Sequence, residues 1–265
     1  MQVSFYVSLL CILAAAICFI FALVNKAIVP PPALRIPSLL NKTAVLKYSF
    51  TANLISTALL ILYTPFTLYL LKNLFENTQC SEIIFFLLFE AGCLCEAVRV
   101  LTPLFGLWST FSDLLFLCGR IIFTGRLLCP LSFVFAAVAG SQEQRQDVER
   151  NIFILLGICI VFAVSAPINT ARITSTGAVT WGFPTLFYLS RVLFIAIAFI
   201  SFWITAAKNN TKEYLIAAFS MLALMTGYGL LTIADNFVFM IIGFPLFYTG
   251  TLKYLRSLHT LYMWK

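Results

Sequence analysis

The sequence predicts an all-α polytopic membrane protein, a single integral-membrane helical domain over residues 1–265 with no soluble domain. Hydrophobic residues make up 62% of the chain and charged residues only 10%, so a soluble fold could not hide its apolar surface. The apolar residues form long unbroken runs, unlike the short alternating segments of a membrane β-barrel. Helices are therefore expected, because a helix satisfies its own backbone hydrogen bonds in lipid.

Six apolar stretches separated by polar breaks are predicted to cross the membrane. They are residues 5–24, 48–71, 83–104, 114–139, 152–168 and 184–207. The third and fourth stretches are expected to form an antiparallel hairpin that turns near Trp108. This hairpin matters because it carries most of the charges that lie within apolar sequence.

The last apolar stretch, residues 214–252, is too long for one crossing. Its 39 residues would span about 58 Å as a straight helix, against a hydrocarbon core of about 30 Å. We predict a fold at Ala234-Asp235-Asn236 into two helices, the second kinked near Gly243 and Pro245. The bundle then has about eight hydrophobic helices. The alternative is seven full spans and an interfacial or re-entrant piece.

Lysine and arginine residues outside the stretches predict the orientation of the chain. Eight of these 13 residues lie on the side of the C-terminus, whether the count is eight spans with the N-terminus inside or seven with it outside. We therefore expect a multi-pass protein with a cytoplasmic C-terminus, and place it in a bacterial inner (cytoplasmic) membrane.

The tail, residues 253–265, has a basic and aromatic amphipathic pattern. Lys253, Arg256, His259 and Lys265 alternate with Tyr254, Leu255, Leu258, Leu261, Tyr262 and Trp264. Such a segment either attaches to anionic lipid or a partner, or is an ordinary helix end anchored by basic and aromatic residues.

Ionisable residues within apolar stretches are the best indication of a site, because charge in a bilayer is costly and usually paired or functional. In a hairpin turning near Trp108, residues at the same depth have numbers that sum to about 216. This arithmetic predicts two ion pairs, Glu96 with Arg120 and Glu90 with Arg126. Nearer the turn, Arg99 and Asp113 are about one helical turn out of register and complete a balanced set of three acids and three bases.

A balanced set favours a structural brace between two helices, whereas a ligand site would leave charge uncompensated. A functional relay or binding site remains the second interpretation. Arg191 and Asp235 lie outside the pairing, Arg191 about two turns inside its stretch and Asp235 at the predicted fold. Arg191 has no obvious partner, so it is the first candidate for ligand binding. It could also pair with Glu90 or Glu96, or extend toward the interface.

Two functional classes are compatible with this sequence. The first is a small-solute transporter or permease component that uses the intramembrane Glu/Arg network, with Pro65, Pro130, Pro167 and Pro245 allowing broken helices. The second is a non-catalytic sensing or scaffold subunit that works with a membrane or cytoplasmic partner protein.

An enzyme is the third possibility, but no catalytic motif supports it. The single histidine, His259, lies in the tail, and seven of eight cysteines lie in apolar stretches, so neither a metal nor another cofactor is expected. The net charge of +7 comes mostly from loops, which indicates contact with the lipid bilayer rather than with nucleic acid.

Overall fold

The computed structural model describes residues 10, 13–14, 17, 28–32, 47–75, 80–108, 112–141 and 147–263. These residues form a helical bundle, and six of its helices are long and apolar enough to cross a membrane. The predicted all-α membrane fold is thus confirmed. The first predicted span, residues 5–24, falls outside the described residues except for four helical positions, so the count of eight helices stays a prediction.

The described elements follow one another as an up-and-down bundle with a short β-hairpin. The helices are α1 (Phe50–Leu74), α2 (Ser81–Leu94), a 3₁₀ segment (Cys95–Val100), α3 (Leu101–Leu104), α4 (Asp113–Ser141), α5 (Val148–Ser165), α6 (Pro184–Asn209), α7 (Lys212–Thr232) and α8 (Phe237–Met263). The strands β1 (Ile168–Ile173) and β2 (Val179–Trp181) lie between α5 and α6.

The third predicted span corresponds to three consecutive elements, α2, the 3₁₀ segment and α3. They pack antiparallel to α4, and the intervening turn includes Trp108, as predicted. Its indole Nε1 donates to the Val29 carbonyl over 2.7 Å. Six residues of tighter 3₁₀ geometry divide this span, and they hold two of its charged side chains, Glu96 and Arg99.

The long last stretch folds back where the sequence predicts. Helix α7 ends at Thr232 and α8 begins at Phe237, so Ala234-Asp235-Asn236 connect two antiparallel helices. The Asn236 Oδ1 accepts the Phe239 amide over 2.9 Å, which caps α8. Helix α8 continues to Met263, so the described part of the tail is its last turns; attachment of the tail to lipid or a partner stays a prediction.

The β-hairpin was not predicted, and it shortens the fifth span. We expected that span to run to residue 168, but α5 ends at Ser165 and Ile168 begins β1. Ala166 is extended because it precedes Pro167, whose ring disfavours helical geometry in the preceding residue. The strands pair antiparallel, with Ile168 opposite Trp181.

Helix α4 lies at the centre of the bundle, packed against α2, α5 and α6, and it is the most buried of the six long helices. Helices α5 and α6 are the least buried and present apolar side chains outward. Because the helices alternate in direction, α1, α4, α6 and α8 begin at the end that carries the β-hairpin. We call this the hairpin end, and the end that carries Ser81, Ser141, Lys212 and Met263 the opposite end.

Candidate functional site

Glycines bring α2 and α4 into close contact in the middle of the bundle. A Cβ atom on Gly125 would lie 2.5 Å from the Cys95 Cβ and 2.6 Å from the Gly92 carbonyl oxygen. Only glycine allows this approach, as in small-residue crossings of other membrane helices. The crossing holds one face of α4 against α2 and the 3₁₀ segment.

Glu96 is the centre of a buried ion-pair cluster next to this crossing. The Arg126 Nε and Nη2 donate to its two carboxylate oxygens over 2.6 and 3.1 Å, a bidentate pair. The Arg99 Nη1 lies 3.4 Å from Oε2, and the Tyr228 hydroxyl donates to Oε1 over 3.3 Å. Glu96 is fully buried and the two arginines are 2% and 4% exposed.

Arg99 extends the cluster toward α1 and the β-hairpin. Its Nη2 donates to the Asn53 Oδ1 over 2.8 Å, and its Nε donates to the Thr176 carbonyl over 3.0 Å. Thr102 donates to the next carbonyl, that of Gly177, over 2.8 Å. The turn between β1 and β2 is buried, so it covers the cluster at the hairpin end.

Arg191 adds a third guanidinium group beside Glu96. It is 8% exposed, and its Cζ lies 5.8 Å from the ring centroids of Phe187 and of Tyr228. It is close enough to Glu96 for an electrostatic interaction. Its Nε is buried and has no hydrogen-bond partner among the described residues.

The charges of this cluster do not balance. Two guanidinium groups contact the Glu96 carboxylate and a third, that of Arg191, lies near it, which gives these four buried groups a formal net charge of +2. The balanced set predicted for the hairpin is not what the structure shows. Such an excess of positive charge is expected at a site that binds an anion, because the anion itself supplies the compensating charge.

The two predicted ion pairs are both wrong, since Glu96 pairs with Arg126, and Glu90 pairs with neither arginine. The depth arithmetic ignored direction around the helix. Residues six apart differ by about 120° around a helix, so Arg120 and Arg126 cannot both face α2. For the same reason Glu96 faces α4, while Glu90 faces Tyr63 of α1.

Arg120 and Asp113 lie outside the cluster. The Arg120 Nη1 donates to the carbonyls of Ala163 and Ala166 at the end of α5, and its guanidinium lies 4.6 Å from the centroid of the Phe116 ring. Arginine near a helix C-terminus satisfies free carbonyls there. Asp113 is exposed in the first turn of α4, where a carboxylate favours the helix dipole.

Glu90 is buried without any compensating group. It is 1% exposed, and neither carboxyl oxygen has a hydrogen-bond partner within the described part of the chain. The hydroxyls of Tyr63 and Thr67 on α1 lie near the Glu90 carboxyl group but outside hydrogen-bond geometry. They are hydrogen-bonded to the Thr251 hydroxyl and to the Tyr63 carbonyl, respectively.

A second carboxylate cluster, at the opposite end, was missed by sequence reasoning. Glu82 is fully buried and accepts the Tyr262 hydroxyl at 2.7 Å on each oxygen, the Tyr214 hydroxyl at 3.3 Å and the Cys80 thiol at 3.0 Å. Glu82 adjoins the start of an apolar stretch and therefore looks like a loop residue. Asn53, in contrast, is a polar residue inside a predicted span, so the sequence was sufficient to make it a candidate site residue.

Asp235 joins the α7–α8 turn to the β-hairpin at the hairpin end. Its Oδ2 accepts the Ser175 hydroxyl over 3.0 Å, and its carbonyl accepts the Ser49 amide over 2.8 Å. Burial raises the pKa of Asp235 above its ordinary value, although the hydrogen bonds from Ser175 and Asn236 oppose this. The pKa of Tyr48 is raised by burial and then by the nearby Asp235 charge.

An apolar cavity of about 710 Å³ lies beside the cluster, between α4, α5, α6 and the β-hairpin. Phe123, Trp181 and Phe187 are among its lining residues, and their ring centroids lie 4.5 to 5.2 Å apart. The Arg126 and Arg191 guanidinium groups lie over the Trp181 and Phe187 rings. These aromatic rings are therefore shared by the cavity and the charged cluster.

No set of three or more His, Cys, Asp or Glu side chains in the described ranges is arranged to hold a metal ion. No protein-family model matches the chain, and no curated protein matches its sequence. The charged cluster is therefore the main indication of function.

Proposed function

We propose that the protein is a transporter or permease component for a small anionic solute, which binds at the Glu96 cluster. The observation that carries this proposal is the excess of positive charge, with the buried Arg191 Nε lacking a hydrogen-bond partner among the described residues. A buried N–H donor without a hydrogen-bond partner is costly, so a ligand that accepts a hydrogen bond from the Arg191 Nε would be favoured.

The chemistry of the cluster favours a carboxylate or phosphate group. Guanidinium binds these groups through two parallel hydrogen bonds, and aromatic rings such as Phe187 and Tyr228 leave the N–H edge of Arg191 available. Within the cluster, Arg126 and Arg99 are already bonded to Glu96. Arg191 is therefore the residue that would hold the solute.

Helices that contain proline support a transport role. Pro65, Pro130 and Pro245 lie inside α1, α4 and α8, where each removes a backbone hydrogen bond. Broken or weakened helices around a central site are common in secondary transporters. Pro167 does not belong to this group, because it lies in the loop before β1.

The orientation follows from the positive-inside rule. Among the described lysines and arginines outside the predicted spans, six lie toward the opposite end and two toward the hairpin end. The six are Lys72, Arg150, Lys208, Lys212, Lys253 and Arg256, and the two are Lys47 and Arg172. We therefore propose that the opposite end and the C-terminus face the cytoplasm, and that the membrane is a bacterial inner membrane.

A sensing or scaffold subunit is the second candidate. The observation that favours it is the direct contact between the cluster and the β-hairpin, through Arg99 and Thr176. A ligand that changes the position of Arg99 would change the hairpin, and a partner protein could respond to it. The partner itself stays a prediction.

Flux measurements test the transport proposal. Purified protein in proteoliposomes should take up at least one of chloride, acetate, succinate and inorganic phosphate. Arg191→Gln should bind that anion about 10- to 100-fold more weakly, because a hydrogen bond to a charged group contributes about 1.5–3 kcal/mol. Arg172→Gln, which changes an exposed arginine outside the cluster, is the matched control.

The outcomes separate the two candidates. Uptake of none of the four anions, together with stable co-purification of another protein, would contradict transport and favour the sensing subunit. Equal uptake by wild type and Arg191→Gln would remove Arg191 from the site.

A further inference from the structure

Glu90 is a buried carboxyl group that has no role in the proposed anion site. It lies in α2, six residues before Glu96, and both of its oxygens are buried without a partner in the described residues. The described ion pairs all involve Glu96, so no base compensates Glu90. An isolated carboxylate in an apolar interior is strongly disfavoured in its charged form.

Within the described part of the chain, no lysine, arginine or histidine is found beside Glu90. The titratable groups that face it are Tyr63 on α1, Cys93 on its own helix and Cys129 on α4. On α7 and α8, Tyr228 and Tyr254 pack against the neighbouring Phe89 and Phe86 rings. None of these five side chains is a base, so these described neighbours do not offset a negative charge on Glu90.

A metal cation does not fit this position. Hard cations take about six or more oxygen ligands. Tyr63 and Thr67 bring two hydroxyl oxygens near the two carboxyl oxygens of Glu90, which is fewer than this number, and the described residues contain no cluster of metal-binding side chains. A proton needs only one oxygen of the carboxyl group itself.

We propose that Glu90 is a proton-binding site and that its proton moves with the anion held by Arg191, an inference that rests on the proposed transport function. A proton from water on one side forms an O–H bond with a Glu90 oxygen. The same bond breaks when the proton is released to water on the other side. Each cycle moves one positive charge with the anion, which reduces the charge carried through the low-dielectric interior.

The protonated state of Glu90 can be measured without any solute. Infrared spectra of the full-length protein in lipid should contain the C=O stretching band of a carboxylic acid, shifted in D₂O and absent from Glu90→Gln. Glu90→Asp should restore a band. The matched control is Glu82→Gln, which replaces another buried carboxyl group of the same span, one that accepts hydrogen bonds from several side-chain donors. The part of the band that is lost in Glu90→Gln should be present in this control. Spectra of wild type and Glu90→Gln that coincide in this region at all pH values would overturn the proton site.

Coupling is tested with the anion of the four that enters proteoliposomes fastest. An inward proton gradient should accelerate wild-type uptake several-fold. Glu90→Gln should keep anion exchange across the membrane but lose the acceleration. Acceleration that survives in Glu90→Gln would overturn the coupling. If the infrared band is assigned to Glu90 but none of the four anions is taken up, the transport function fails and the proton site stands.

Discussion

Glu96 and Glu90 lie six residues apart on one helical stretch, yet their surroundings differ completely. Glu96 accepts hydrogen bonds from two arginines and a tyrosine, whereas Glu90 has no hydrogen-bond partner among the described residues. Both are almost fully buried. The difference shows that the face of the helix on which a carboxylate lies, and not its depth, determines whether its charge is compensated.

The cause lies in the neighbouring helices. The glycine crossing places the Glu96 face against α4, which supplies Arg126, while the Glu90 face meets α1, which supplies only hydroxyl groups. Glu82 shows a further solution, since hydroxyl and thiol donors surround it without an arginine. Glutamate therefore occurs in three different environments along one span: paired with arginines, without a hydrogen-bond partner among the described residues, and hydrogen-bonded to neutral donors.

The largest effect is expected from reversing the charge at Glu96. Glu96→Arg would leave four guanidinium groups without a carboxylate in the cluster and should destabilise the protein by more than about 3–5 kcal/mol, the usual cost of breaking a buried pair. Adding Arg126→Glu should restore much of the melting temperature in detergent, because it remakes the observed pair.

Arg120→Glu in the same Glu96→Arg background is the matched comparison and should restore nothing. Equal recovery with Arg120→Glu would mean that Glu96 pairs with Arg120, the residue at its own depth. The conclusion that the helix face determines the partner would then be wrong.

A smaller loss of stability is expected from a bulky side chain at the glycine crossing, which would push α4 away from α2 and the 3₁₀ segment. Gly125→Leu forces side-chain atoms into the space of Cys95 and the Gly92 carbonyl, and should cost at least about 1–3 kcal/mol. Gly157→Leu on α5 is the control, because a Cβ there meets no atom within 4 Å. If the two variants melt at the same temperature, the crossing does not hold the Glu96 face in place.

Asp235→Asn changes a carboxyl group that lies outside the helices. It should change the free energy of unfolding by less than about 1 kcal/mol, or the melting temperature by less than about 4 °C. The pKa of Asp235 is raised in the native state, so the native protein binds this proton more tightly than the unfolded chain. This stabilisation is complete below the unfolded pKa, near 3.8, and is lost as pH rises through the native pKa. Wild type should therefore gain stability relative to Asp235→Asn as pH falls from 7 to 4. A difference in melting temperature that stays constant over this range would show that Asp235 titrates normally.

The smallest change in stability is expected for Glu90→Gln. The amide has the same shape and replaces a group with no hydrogen bond to lose, so the free energy of unfolding should change by less than about 0.5 kcal/mol. A loss as large as that of a Glu96 variant would mean that Glu90 is paired in the membrane and that the two carboxylates are equivalent.

Periodicity and polarity predict much of this fold. The break at Asp235, the hairpin near Trp108 and the boundaries of α6 follow from apolar length and from the positions of polar residues. The β-hairpin could not be foreseen, because Ile168–Ile173 and Val179–Trp181 are short and mix apolar with polar residues, as an ordinary loop between two spans also does. The partner of Glu96 also could not be foreseen, because it depends on which helix faces meet at Gly92 and Gly125.

The buried turn of the β-hairpin has a consequence for access to the cluster. Four side-chain hydrogen bonds attach the turn to the helical bundle. They run from Arg99 to Thr176, from Thr102 to Gly177, from Ser175 to Asp235 and from Tyr48 to Ser175. Each contributes about 0.5–1.5 kcal/mol net, so lifting the turn would cost about 2–6 kcal/mol. The turn would then be open in roughly one molecule in thirty to one in several tens of thousands. If the proposed transport function holds, a solute arriving from that side would reach Arg191 only in those molecules.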